Sequence, residues 1–132
     1  MAITVNSKKK QVKKTFQELI NDLMTSSSEK VRYNAARVLG EMGDSKAVEP
    51  LIDVLKNDKN GSVRLYAARA LGELGDSKAT EHLIESLRED RNVDVRVRAA
   101  RALGRLGGKI VVEPLVEALN LSLIHISEPT RP

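Results

Sequence analysis

The sequence predicts an all-α fold, a solenoid of tandem helical hairpins, and three observations carry that prediction. Three segments align without a gap at a period of 32 residues: VRYNAARVLGEMGDSKAVEPLIDVLKNDKNGS from Val31, VRLYAARALGELGDSKATEHLIESLREDRNVD from Val63, and VRVRAARALGRLGGKIVVEPLVEALN from Val95. Within each unit the apolar residues recur at helical spacing. A glycine closes each first stretch, at Gly43, Gly75 and Gly107. Repetition at this period marks a repeat architecture. A single hairpin cannot bury its own apolar stripe, so neighbours must stack, and stability becomes a sum of unit and interface terms.

The elements follow in order. Residues 1–14, MAITVNSKKKQVKK, form a basic leader. Running the period backwards places Leu19, Ile20 and Leu23 under Leu51, Ile52 and Leu55, so residues 15–30 read as a half repeat; full units then cover 31–62, 63–94 and 95–120. In the first full unit Val31, Ala35, Val38, Leu39 and Met42 fall at i, i+4, i+7, i+8 and i+11, one face of a helix A. Gly43, Gly75 and Gly107 stand where a left-handed residue ends a helix, and Asp44 or Asp76 offers an N-cap oxygen to the next; the third unit has Gly108 there, a weaker cap. Helix B buries Val48, Leu51, Ile52, Val54 and Leu55. Pro50 and Pro114 lack an N–H and suit a first helical turn, so a short 3₁₀ turn is expected before them; His82 replaces the proline in the middle unit. The polar stretches KNDKNGS and REDRNVD connect each B to the next A.

Gly40, Gly72 and Gly104 sit inside helix A, where glycine costs about 1 kcal/mol against alanine. Their recurrence, beside the Ala-Ala pairs at 35/36, 67/68 and 99/100, predicts that backbones approach closely at that position.

Composition narrows the function classes. Aromatic residues are confined to Phe16, Tyr33 and Tyr66, and tryptophan is absent, so the core is aliphatic. Cysteine is absent, which removes disulfides, thiolate nucleophiles and Cys-ligated metals. No stretch approaches 18 apolar residues and the N-terminus lacks a signal-peptide pattern, so a soluble, cytoplasmic chain is expected. The net charge of +4 is local: five lysines lie among the first 15 residues with no acid, and the remainder balances 17 basic against 18 acidic residues. Such a cluster reads as a solvated leader or a frayed first turn.

The pattern VRxxAAxxLGxxGDxxAVxxLxxxL resembles the HEAT-like repeats of phycobilin lyase subunits and many other prokaryotic proteins, over residues 16–120. The resemblance implies a right-handed α-α superhelix of HEAT/armadillo type with the B helices on its concave side, and the family's recurrent arginine is present as Arg32, Arg64 and Arg96. It says little about function, because the family holds scaffolds, regulatory subunits and a few enzymes. Residues 121–132, LSLIHISEPTRP, instead resemble the in-frame translation of a sequencing adapter and replace the polar connector that the period demands after Asn120. They are set apart from the array as a non-native tail, and the native array is expected to continue.

Helix B presents carboxylates at i,i+4 pairs: Glu49 and Asp53, Glu81 and Glu85, Glu113 and Glu117. Stacked by the period they form a stripe, on the concave face if the resemblance holds. It reads as a docking groove for a basic peptide or protein, or as an ordinary solvated face partly neutralised by Lys56 and Arg88. Arg32, Arg64 and Arg96 border the core, and Asp58 and Asp90 in the preceding connectors are the expected partners of Arg64 and Arg96, a structural ladder holding units in register. Arg98, Arg101 and Arg105 make a basic stripe confined to the third helix A, an anion site by charge but without the neighbouring aromatics that nucleic-acid stacking uses. No catalytic constellation, metal site, phosphate loop or cofactor site is legible: His82 starts a helix, His125 lies in the tail, and i,i+4 carboxylates on an open helix lack the burial that separates acid from base.

The expected function is therefore a non-enzymatic scaffold or adaptor binding another protein on the helix B face. The alternatives are a fragment of a bilin lyase-like subunit, by resemblance, and nucleic-acid binding through the third-unit arginines. The C-terminal end of the array, lacking a polar cap, is also an edge for oligomerisation.

Overall fold

The computed structural model describes residues 14–107. They form six α-helices: α1 (Phe16–Thr25), α2 (Glu29–Met42), α3 (Val48–Asn57), α4 (Gly61–Leu74), α5 (Thr80–Glu89) and α6 (Val93–Leu106). Short 3₁₀ turns, Ser45–Ala47 and Ser77–Ala79, precede α3 and α5, and no strand occurs among the described residues. Helices α2, α4 and α6 are the A helices; α1, α3 and α5 are B helices.

The helix ends follow from local chemistry. Thr15 and Glu18 build a capping box on α1, each side chain accepting from the other residue's backbone N–H. Ser28, Asn60 and Asn92 cap α2, α4 and α6 by accepting from Val31, Val63 and Val95 N–H respectively. Gly43 and Gly75 then end α2 and α4 with φ of 74° and 69° and ψ of 17° and 20°. At these positions the positive φ excludes a side chain at ordinary cost. Gly107 shares the positive φ but has ψ of −176°. Asp44 and Asp76 accept from Lys46 and Lys78 N–H, so they cap the 3₁₀ turns, not the α-helices expected of them. The caps of α3 and α5 are Ala47 and Ala79, which offer no side-chain oxygen. Pro50 sits in the first turn of α3, where its missing N–H loses no helical bond.

Tertiary packing regroups the repeat. Each B helix packs most extensively on the A helix that follows it, and A helices pack side by side in the order α2, α4, α6. The compact layers are therefore α1/α2, α3/α4 and α5/α6. The half repeat is thus the first member of a complete layer. The reason is connector length: three residues, Asp58–Asn60 or Asp90–Asn92, separate a B helix from the next A helix and fold them directly together.

Between the two rows of helices runs one aliphatic core. Leu23, Leu39, Leu51, Leu55, Leu71, Leu83 and Leu103 are fully buried, with Val63 and Val95 between them. The α1 leucines 19 and 23 are buried as expected, and so are all five expected α3 residues. Met42 is a correction: it is 47% exposed in the last turn of α2, where the equivalent Leu74 and Leu106 pack against the core.

The A-helix glycines are explained by the side-by-side packing. A Cβ built on Gly40 would lie 2.8 Å from the Cα and Cβ of Ala70, and one on Gly72 would lie 2.9 Å from the Cα and Cβ of Ala102. Close backbone approach is thus present at two of the three positions. At Gly104 a Cβ would meet nothing within 4 Å among the described residues, and this glycine is exposed where the other two are buried.

Candidate functional site

The recurrent arginines make a ladder, with its carboxylate rungs one unit further along than their sequence order suggests. Arg64 forms a two-pronged ion pair with Asp90, Nε to Oδ2 at 2.9 Å and Nη2 to Oδ1 at 3.1 Å. Arg32 pairs in the same way with Asp58, at 2.9 and 3.2 Å. Asp58 is therefore not the carboxylate partner of Arg64, nor Asp90 of Arg96. Toward the preceding connector each arginine donates to backbone carbonyls instead: Arg32 to Ser26, Arg64 to Asp58 and Lys59, Arg96 to Asp90. Helical side chains lean toward the N-terminus, which carries each guanidinium back over its own connector and leaves its Nε edge facing the next. The carboxylates are held in turn, since Asp58 and Asp90 Oδ1 accept from Asn60 and Asn92 N–H at 2.9 Å. Ser26 Oγ does the same for Ser28 N–H.

Arg32 and Arg64 each tie two connectors together, and Arg64, only 5% exposed, is the most completely enclosed. The open depression between the second and third connectors is lined by Lys56, Asp58, Arg64, Asp90 and Arg91, but the hydrogen bonds of Arg64 and Asp90 are directed at each other and at the backbone. No buried side-chain polar atom among the described residues lacks a partner. The ladder is structural chemistry: a pair this enclosed fixes register, and its cost of desolvation offsets much of its attraction.

The described acids of the B-helix stripe, Glu49, Asp53, Glu81 and Glu85, are all exposed, on the side of α3 and α5 opposite the core. Asp53 accepts from Asn57 Nδ2 at 2.9 Å. Glu113 and Glu117 lie outside the described residues. Of the third-unit arginines, Arg101 and Arg105 are exposed and Arg98 is half-buried. In the two earlier units the corresponding arginines carry i,i+4 ion pairs, Arg37 with Glu41 at 3.2 Å and Arg69 with Glu73 at 3.4 Å. Arg105 stands where those glutamates would be, and Arg98 where Asn34 and Tyr66 stand, so the basic patch arises from two changed positions. Tyr33 and Tyr66 stack with centroids 5.2 Å apart, joining α2 to α4 instead of forming a platform for a ligand. No group of three or more His, Asp or Glu among the described residues is placed to hold a metal ion. No helix among them is long and apolar enough to cross a membrane.

Two features of this site were missed from sequence. The Asn60 and Asn92 caps repeat at the 32-residue period with Ser28, which was the available signal. The Ser26, Asp58, Asp90 series repeats likewise, but the unit to which each carboxylate reaches depends on helix packing.

Stacked helical pairs with an inter-layer arginine ladder define the class as an α-solenoid. The chain belongs to the HEAT repeat family: the description "HEAT repeats" matches residues 16–96, and "PBS lyase HEAT-like repeat" matches residues 95–120. Among solved structures it is similar to a chain of the complex of CpcE and CpcF of phycocyanin lyase from Nostoc sp. PCC7120, with 35% identity and a TM-score of 0.73. That match covers 81% of this chain and 42% of the other, so the chain spans less than half of its neighbour's length. No curated protein matches the chain.

Proposed function

We propose that the array is a non-enzymatic scaffold that binds another protein through the acidic outer face of its B helices. The observation that carries this reading is the exposure of Glu49, Asp53, Glu81 and Glu85 at equivalent positions of successive layers. Aligned like charges on a rigid support raise the local concentration of a basic segment and set its orientation. Binding of a labelled Lys/Ala helical peptide, compared with a Glu/Ala peptide of the same length, tests the reading. The Lys/Ala peptide is expected to bind in a salt-sensitive manner, and the Glu81→Lys, Glu85→Lys double variant to bind it several-fold more weakly. Equal binding by the double variant would sink the proposal.

A second reading is favoured by the similarity to a chain of the phycocyanin lyase complex. On it, the chain is part of a subunit that acts in bilin attachment, and the B-helix face contacts the acceptor or a second subunit. Co-expression with a bilin and phycocyanin separates the readings: coloured adduct dependent on this chain supports the lyase reading, and none supports the scaffold.

A further inference from the structure

Asn60 and Gly61 make the single Asn-Gly pair of the sequence, and they stand where the second connector passes into α4. An asparagine followed by glycine is chemically labile. The backbone nitrogen of the next residue can attack the carboxamide carbon and close a cyclic imide, and glycine has no side chain to crowd that approach. The equivalent caps lack this chemistry. Asn92 is followed by Val93, whose branched Cβ shields the nitrogen, and Ser28 carries no carboxamide. Glycine at position 61 has a packing cause, since a Cβ there would lie 2.5 Å from Nδ2 of Asn92 in the next connector.

The folded connector holds the two reacting groups apart. Asn60 Oδ1 accepts from Val63 N–H at 3.1 Å, its own N–H donates to Asp58 Oδ1 at 2.9 Å, and its carbonyl accepts from Arg64 N–H at 3.2 Å. With φ of −90° and ψ of 126°, Asn60 turns the Gly61 nitrogen away from its side chain. Ring closure therefore requires rotation about the Asn60 Cα–C bond and release of the cap. Gly61 is the first residue of α4, whose N–H has no acceptor within the helix, so the helical ladder gives that nitrogen no protection once the cap lets go. Local opening of this kind costs less than global unfolding.

We infer that Asn60 is a site of spontaneous conversion to aspartate and isoaspartate, gated by opening of the α4 N-terminus. In the opened state the Gly61 nitrogen gives its proton to hydroxide and bonds Asn60 Cγ. The Cγ–Nδ2 bond breaks, and Nδ2 leaves as ammonia with a proton from water. Water then opens the imide: addition at Cγ yields aspartate, and addition at the Asn60 carbonyl carbon yields isoaspartate, with the main chain running through Cβ and Cγ. The products differ in consequence. Aspartate keeps an oxygen for Val63 N–H, a good cap. Isoaspartate lengthens the main chain of a three-residue connector and moves the cap oxygen off its acceptor position. It also disturbs the N–H that holds Asp58 Oδ1, the oxygen that takes Arg32 Nη2. One chemical event thus loosens both the α3/α4 joint and the Arg32 rung, and the loss of ammonia makes it one-way.

Incubation of the full chain in mildly alkaline buffer, with and without unfolding urea, followed by peptide mapping with mass spectrometry, tests this. Conversion is read as the mass gained when NH is exchanged for O at Asn60, and isoaspartate by chromatographic separation of the isomeric peptides. In urea Asn60 should convert at least about tenfold faster than Asn92, and at least about tenfold faster than Asn60 in the native chain, the second ratio reporting the cost of opening. Both rates should rise with pH, because the attacking nitrogen must lose its proton. Gly61→Ala, whose methyl meets only the movable end of the Asn92 side chain, should slow conversion several-fold in urea. Asn60→Ser keeps a cap acceptor and should abolish conversion, so that the incubated variant melts as it did when fresh, while the incubated parent gains a lower-melting fraction containing isoaspartate. Asn60 and Asn92 converting alike in urea, or no conversion there, overturns the inference. Equal rates for Asn60 in native and unfolded chains overturn the gating. An isoaspartate fraction that melts with the fresh parent overturns the loosening of the joint.

Discussion

The α3/α4 layer and the α5/α6 layer carry nearly the same sequence and differ in what their A helices touch. In α4, Gly72 receives Ala102 of the next A helix and Arg64 reaches the Asp90 carboxylate of the next connector. In α6, Gly104 is exposed, and among the described residues Arg96 keeps its bond to the preceding carbonyl without a carboxylate partner. Identical residue types at identical repeat positions therefore have different energetic weight. In a solenoid a residue's value is set by the unit beside it, since each layer contacts only its neighbours.

The contrast between the arginines should be the largest to measure. Arg64→Met leaves the nearly enclosed Asp90 carboxylate without its counter-charge and should cost about 3–5 kcal/mol. Arg96→Met removes a bond to one carbonyl and should cost about 1–2 kcal/mol. Urea unfolding of both variants beside the parent chain gives the difference, and equal costs would show that the ladder does not couple layers.

The glycines should differ in sign. Gly72→Ala drives a methyl to 2.9 Å from Ala102, an overpacking expected to destabilise by about 1–3 kcal/mol despite better helix propensity. Gly104→Ala meets nothing nearby and should stabilise by about 0.5–1 kcal/mol through propensity alone. Thermal melts of the two variants beside the parent chain read the sign directly. Destabilisation at both sites would mean that the α6 face is covered.

A smaller effect is expected at the caps. Asn60→Ala removes the acceptor of Val63 N–H at the start of α4, and Asn92→Ala removes an acceptor shared by Asp94 and Val95 N–H; each should cost about 1 kcal/mol by chemical denaturation. The smallest concerns the arginines of α6. Changing Arg98, Arg101 and Arg105 to glutamine should leave stability within about 0.5 kcal/mol, as these side chains make no ion pair among the described residues. Salt-dependent retention on DNA that disappears with this triple change would instead revive nucleic-acid binding.

Much of the fold was legible because its causes are local or periodic. Leu19 and Leu23 were placed in the core by running the period backwards, and both are buried. Gly40 and Gly72 were recognised as sites of close approach because an expensive residue recurred at one place. The Arg32, Arg64, Arg96 and Asp58, Asp90 series was recognised too, and Arg64 and Arg96 do bond the expected connectors, but through backbone carbonyls; the carboxylate that Arg64 takes is Asp90. Sequence proximity favoured the Asp58 carboxylate for Arg64, and nothing in the sequence says which of two flanking connectors supplies a carboxylate and which a carbonyl. The carboxylate stripe was legible as a spacing, and the exposure of its four described members is compatible with either a groove or a solvated face.

By itself the sequence determined the helices, their periodic stacking and the family, because hydrophobic spacing, capping residues and the 32-residue repeat are properties of the chain read in order. Only the tertiary structure decided that the layers are α1/α2, α3/α4 and α5/α6, that Arg32 and Arg64 each join their own connector to the next one, and that Gly104 is open where Gly72 is closed. Those outcomes depend on which helix lies beside which, and equivalent residues in a repeat look alike until their neighbours are placed.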